Sequence, residues 1–290
     1  MTNVLQNLWR AGRRVYPASQ TVTEAVAFCM FLAFFPILLL GLGILHGTTW
    51  GSAAVLQMWF RVQIILPPES ARLIGAYLGR HEASAFEWIA VGLFGTLLVG
   101  IRLMNALIEG FHRVSRDIKL PSFGSRLWRS VVLLCLTIFP WLTVVMLTIL
   151  GAETRRWMVD TGRLSKTMEA VLVGCYLGFV FTLGVVVLMA VYRIGRPGHH
   201  GWREVLPGSV VATLLWWAVD LIFGTYVRHM PYDVVYGGVA AAIGLLVWMY
   251  LTTTVIFFGE AYNVESFEQK RRKAGAGGEV IRRRTVHGNE

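Results

Sequence analysis

Four stretches of the chain, Ala25–Phe60, Ser130–Ala152, Ala170–Tyr192 and Val234–Gly259, contain no Lys, Arg, Asp or Glu. A soluble amphipathic helix shows a polar face every 3.6 residues, and these stretches show none. A bilayer core of about 30 Å is crossed by about 20 apolar helical residues. The pattern therefore predicts an all-α, polytopic membrane protein with six spans, at about 22–45, 88–109, 128–151, 169–192, 205–227 and 238–261. The second and fifth each carry a charge. The first is too long for a signal-peptide core, and no small-residue cleavage site follows it, so it is expected to stay as a helix.

Between the first two spans, His46–Glu87 is long and patterned. Gln57–Leu66 mixes apolar residues with Arg61 and Gln63, Pro67-Pro68 breaks the chain, and Ser70–Arg80 returns to helical spacing. Two short amphipathic helices are expected there, lying on the outer surface or capping the bundle. The organisation expected is a cytoplasmic N-terminal segment over 1–21, a six-helix domain over 22–263, and a basic, disordered cytoplasmic tail over 264–290. Lys270–Lys273, Gly275, Gly277, Gly278 and Arg282–Arg284 give the tail its character.

The net charge of +10 would point to nucleic acid in a soluble chain. Here basic residues flank spans and act as topology determinants, so no nucleic-acid partner is expected. Seventeen of the 27 Lys and Arg residues fall on the side of the termini and eight on the other. The positive-inside rule then places both termini in the cytoplasm. Cys29, Cys135 and Cys175 all lie in apolar stretches without a Cys or His at ligand spacing, and read as reduced packing residues.

Ionisable groups inside spans are expensive and usually face a bundle interior or water. The candidates for a polar site or gate are Arg102, Glu260, Glu109, Glu24 and Asp220. Helix rise puts Arg102 and Glu260 at similar depth, and Asp220 about 10 Å away in depth. Arg102 held by Glu260 would be a gate for an anionic headgroup, or a buried ion pair that sets helix register. Pro36 and Pro140 fall mid-span, where each frees a carbonyl and can kink its helix. Gly174 and Gly178 in the fourth span, and Ala240 and Gly244 in the sixth, are spaced for close packing within the bundle.

Three segments together carry a resemblance: Ala27-Phe28 through Phe34-Phe35-Pro36 to Leu38–Leu40; Leu206-Pro207-Gly208 with Ala212–Trp216; and Tyr236-Gly237 through Leu245–Tyr250 to Gly259-Glu260-Ala261-Tyr262-Asn263. Leu66–Glu69 fits as well. In order and spacing this resembles the BrkB/YihY family of bacterial inner-membrane proteins, once described as ribonuclease BN, over about residues 20–268. The resemblance implies six helices and a role in the envelope. Members have been connected with serum resistance, envelope integrity and lipid or lipopolysaccharide-precursor transport, without a common mechanism. The chain departs from the family at Cys29, Ala33 and His112, while Asp220 sits where the family is polar but variable.

An enzyme is not expected. The seven His residues are scattered, only His199-His200 are adjacent, and no HExxH, CxxC or P-loop pattern occurs. No metal or cofactor is expected. The partners expected are membrane lipids, with a lipid or other anionic amphiphile as substrate. The alternative is a non-transporting scaffold that supports envelope integrity.

Overall fold

The computed structural model describes residues 2–18, 20–46, 85–116, 122–160, 166–196, 201–229 and 237–287. They form seven helices: α1 Thr2–Ala18, α2 Gln20–His46, α3 Ala85–Val114, α4 Phe123–Asp160, α5 Lys166–Gly195, α6 Trp202–His229 and α7 Gly237–His287. Among the described residues there is no strand. Six helices are long and apolar enough to cross a bilayer, over Gln20–Gly41, Phe86–Val114, Phe123–Val144, Thr167–Gly195, Trp202–Tyr226 and Ala242–Arg272. The protein is an all-α polytopic membrane protein, and each span read from the pattern falls inside one of these helices. The amphipathic segments expected at 57–66 and 70–80 lie outside the described residues.

The chain divides into two compact units. One is built from residues 21–109 and 216–255. Here α2 and α3 approach through glycine. A β-carbon added at Gly43 would lie 2.9 Å from the backbone nitrogen of Ile89, one at Gly92 would lie 2.7 Å from Leu40 Cα, and one at Gly95 would lie 2.9 Å from Pro36 Cβ. Pro36, inside α2, thus packs its ring on the bare face of α3. In the same unit the α7 glycine Gly244 faces the Phe223 ring of α6 at ordinary contact distance, 3.8 Å, as its small-residue spacing suggested.

The other unit comprises residues 1–20, 110–215 and 256–290. In it α4 packs against α5. Pro140 lies inside a continuous α4, where it leaves the Leu136 carbonyl without its helical donor. Phe111, Tyr192 and Phe257 are wholly buried and meet edge to face, with Phe111 5.6 Å from Tyr192 and 5.7 Å from Phe257. Near this cluster α6 and α7 come together at Gly208 and Gly259. Their separation leaves no room for a β-carbon on Gly208, which would overlap the Gly259 carbonyl oxygen. The Gly208 N–H donates to Asn263 Oδ1 at 2.7 Å.

The N-terminal segment, for which the pattern set no secondary structure, is a helix: Leu8, Ala11 and Val15 return every three or four residues and give α1 an inward stripe, which Asn7 and Arg14 share. Two expectations about local structure change. The break into a disordered tail at 264 does not occur. α7 runs on to His287 as helix, and Val264 is buried, because α1 ties the first turns of the supposed tail by side-chain bonds described below. Lastly, Gly174 and Gly178 are not a packing seam among the described residues. Both are exposed, and a β-carbon at either meets nothing within 4 Å.

Candidate functional site

The most heavily built polar cluster surrounds Glu260 on α7, which is completely buried. Residues 256, 260 and 263–264 share one face of α7 by helical spacing. That face meets the end of α5 and the turn after α3. Arg196 Nε lies 3.0 Å from Glu260 Oε1, with Arg196 itself 4% exposed. Ser115 Oγ donates to the same oxygen at 3.3 Å. Tyr192, one turn before Arg196, donates its hydroxyl to the Ile256 carbonyl at 2.8 Å. The Asn263 amide stands beside the Glu260 carboxylate while its Oδ1 holds Gly208. The Phe267 ring lies 5.9 Å from the Arg196 guanidinium on its other side. One buried carboxylate therefore gathers α3, α5 and α7, and Asn263 adds α6.

Local backbone explains how these groups arrive. Beyond the end of α5, the Arg196 N–H still bonds the Tyr192 carbonyl at 3.0 Å, so Arg196 continues the face that Tyr192 starts. α3 ends at Val114, the Ser115 N–H bonds the Phe111 carbonyl at 2.9 Å, and Arg116 takes a φ of 56°. A left-handed residue at this place stops the helix, usually as glycine. Here an arginine does it, at a cost of about 1 kcal/mol or more. Within α6, Ser209 and Thr213 bond back to the Val205 and Ser209 carbonyls at 2.8 Å, which satisfies two buried hydroxyls without a partner helix.

A second polar group follows on α7. Arg14 of α1 sits 3.2 Å from Glu265 and 2.8 Å from Glu268, and Asn7 Nδ2 donates to Gln269 Oε1 at 3.0 Å. Arg14 is close enough to Glu260 for its charge to act there. Buried hydrogen bonds to charged groups are worth about 1.5–3 kcal/mol. Arg14→Ala is therefore expected to release α1, raising amide hydrogen exchange across residues 6–18 by on the order of tenfold or more. Unchanged exchange there would show that the apolar stripe alone holds α1.

Of the residues singled out from the sequence, Glu260 is the centre of the cluster, but its cation is Arg196, an arginine the depth argument passed over. Arg102 lies in the other unit, exposed on α3 within its span. It has no hydrogen bond or ion pair among the described residues, and its charge reaches Cys29 of α2. Glu109 is half-buried and Glu24 exposed. Asp220 is exposed and accepts the Trp248 indole N–H at 2.8 Å. Arg196 lies just past the apolar run of the fourth span, and its spacing of four from Tyr192 is the signal in the sequence that could have placed it. Asn263 stood in the family-like motif and was given no role. Among the described residues no three His, Cys, Asp or Glu side chains are grouped to hold a metal ion.

The family model of virulence factor BrkB matches residues 19–280. The chain belongs to the BrkB family. The UPF0761 membrane protein of Alkalilimnicola ehrlichii is 26% identical over 89% of this chain, which spans 58% of that protein's length. The UPF0761 membrane protein YihY of Salmonella typhimurium is 26% identical over 72% of the chain and 70% of its own length. The ribonuclease-like protein YfkH of Bacillus subtilis is 26% identical over 63% of the chain and 67% of its length. No solved structure matches. The Glu260 cluster and Gly208 both fall within the segment that the family model covers.

Proposed function

We propose that this BrkB-family protein binds and moves a lipid or other anionic amphiphile in the bacterial inner membrane, with both termini in the cytoplasm. The observation that carries this reading is Arg102. A guanidinium exposed within an apolar span costs about 2.5–3.5 kcal/mol on insertion scales unless water or a polar group meets it. No described side chain neutralises it, so an anionic headgroup is a natural partner. Arg102 can bind such a group through paired donors while the substrate's chains stay in lipid. The Glu260 cluster supports a different role: a closed tie between the helices of its own unit.

A non-transporting scaffold is the second reading. It draws on α5, whose Gly174–Gly178 face is open to another membrane helix. Catalysis is not proposed: the ribonuclease-like name belongs to the Bacillus protein, and the described residues offer no ligand group for a hydrolytic metal.

The test is movement of a fluorescent anionic phospholipid between leaflets of proteoliposomes. Wild type is expected to exceed empty vesicles, and Arg102→Ala to fall by about tenfold, the effect of losing one charge-assisted contact. Wild-type movement no faster than in empty vesicles would remove the transport reading and leave the scaffold. Equal rates for wild type and Arg102→Ala would remove Arg102 from it.

A further inference from the structure

We propose that α1 is an interfacial helix whose outer face binds the headgroup of an anionic phospholipid, in the leaflet on the side of the chain termini. This site is separate from Arg102 and stands whether or not the protein moves lipid.

The charge on α1 is one-sided. Residues 2–18 contain three arginines and no acidic residue. Arg14 turns inward and is used by Glu265 and Glu268. Arg10 and Arg13 are exposed, and neither has an ion pair or hydrogen bond among the described residues. Glu268, the acid on the adjoining turns of α7, is already shared between Arg14 and Arg272. The outward positive charge on α1 is thus not neutralised by the helix it docks on.

The same face carries two large aromatic side chains. Trp9 is 69% exposed and Tyr16 77%. Trp9, Arg13 and Tyr16 are spaced four and three residues apart and so line up along one side of α1. With Leu8 and Gly12 they line an open hollow of about 520 Å³. Gly12 adds no side chain to its floor, and a β-carbon there would touch the Phe258 ring at 3.8 Å. A guanidinium beside an apolar floor, between amphipathic rings, matches a phosphate group joined to the start of two acyl chains. Trp and Tyr collect at the depth where headgroups lie, and basic amphipathic helices rest there.

Depth agrees with that occupant. α1 docks on Glu265, Glu268 and Gln269, within two turns of Tyr262, where the apolar run of α7 ends. Lys270, Arg271 and Arg272 follow at once and are exposed. A helix that passes here from an apolar run to a basic one is expected to leave hydrocarbon at the level of lipid phosphate.

The experiment uses the full chain in proteoliposomes and reads Trp9 as the difference in emission between wild type and Trp9→Phe. Vesicles hold a constant fraction of phosphatidylglycerol in phosphatidylcholine, and bromine is placed on the chains of either one lipid or the other at equal mole fraction. Trp9 is expected to be quenched about twofold more by brominated phosphatidylglycerol. The double variant Arg10→Ala, Arg13→Ala should remove that preference while leaving general quenching. Gly12→Leu, which fills the hollow and keeps both charges, should weaken the preference as well. Equal quenching by both lipids in wild type would mean contact with the interface but no headgroup site, and would overturn the proposal. Absence of quenching by either would place α1 in water and overturn it too. Arg102→Ala should leave the Trp9 preference unchanged, which keeps this result distinct from the transport assay.

Discussion

Gly208→Ala is expected to abolish the folded protein, or to lower its thermal midpoint in detergent by several degrees or more. The added carbon would overlap the Gly259 carbonyl oxygen and press on Asn263 Cγ, 2.5 Å away. A side chain in the way can rotate, but a backbone oxygen inside a helix can move only with the helix. Overpacking ordinarily costs about 1–3 kcal/mol, and an obstruction by backbone falls at or above the top of that range. Gly259→Ala should behave alike, since its β-carbon would press on the Tyr192 hydroxyl and lie 2.6 Å from Ala212 Cβ. Separating α6 from α7 also breaks the bond from the Gly208 N–H to Asn263, which leaves two polar atoms buried. Gly174→Ala and Gly178→Ala are the controls. Both have open space, and alanine favours helix by up to about 1 kcal/mol, so they should leave the midpoint unchanged or raise it. Fluorescence-detected size exclusion after heating would read all four. A Gly208→Ala midpoint within a degree or two of wild type would show that the α6–α7 approach is looser than described.

The glycine pairs mark the limit of what the sequence could show. Hydropathy recovers the six spans because length and the absence of charge are local properties of a helix in lipid. Which small residues face a neighbour is not local. Gly174 and Gly178 have the spacing associated with close packing and point outward, whereas Gly208 and Gly259 lie in different helices and have no shared period. The candidate site divides in the same way. Glu260 was legible as a charge at the end of an apolar run. Its cation was sought at equal depth inside another span, and Arg102 was the arginine available there. The structure supplies Arg196, from the turn just past α5, because a long side chain reaches back from the helix end towards a buried carboxylate.

The segment after residue 263 was misread for a related reason. Residues 264–272 are polar and basic, which by composition suggests disorder. Yet Glu265, Glu268 and Gln269 lie at helical spacing and present one face, and the partner that makes the face stable is Arg14, some 250 positions earlier. Neither segment has enough apolar surface to justify order by itself. Together they close a set of charge-assisted contacts, and α1 becomes visible only as the other half of that set.

The Glu260–Arg196 pair supports a test that separates frame from gate. Glu260→Ala and Arg196→Ala should each destabilise the protein by about 3–5 kcal/mol, because each leaves one charge buried without its partner. The double variant Glu260→Leu, Arg196→Leu removes both charges together. Burying two ions is itself costly, and Arg196 Nη1 has no acceptor among the described residues, so the pair is not fully repaid by hydrogen bonds. The double variant is accordingly expected to recover most of the loss, with a coupling energy of about 2 kcal/mol or more in the cycle. If the cluster is a frame, lipid movement in proteoliposomes should follow stability: low in each single variant and restored in the double. If Glu260 must bind or release a cation during transport, the double variant should be stable and still inactive. The complete burial of Glu260 and its ties to Arg196 and Ser115 favour the first outcome. A stable, inactive double variant would move the working site from Arg102 to Glu260.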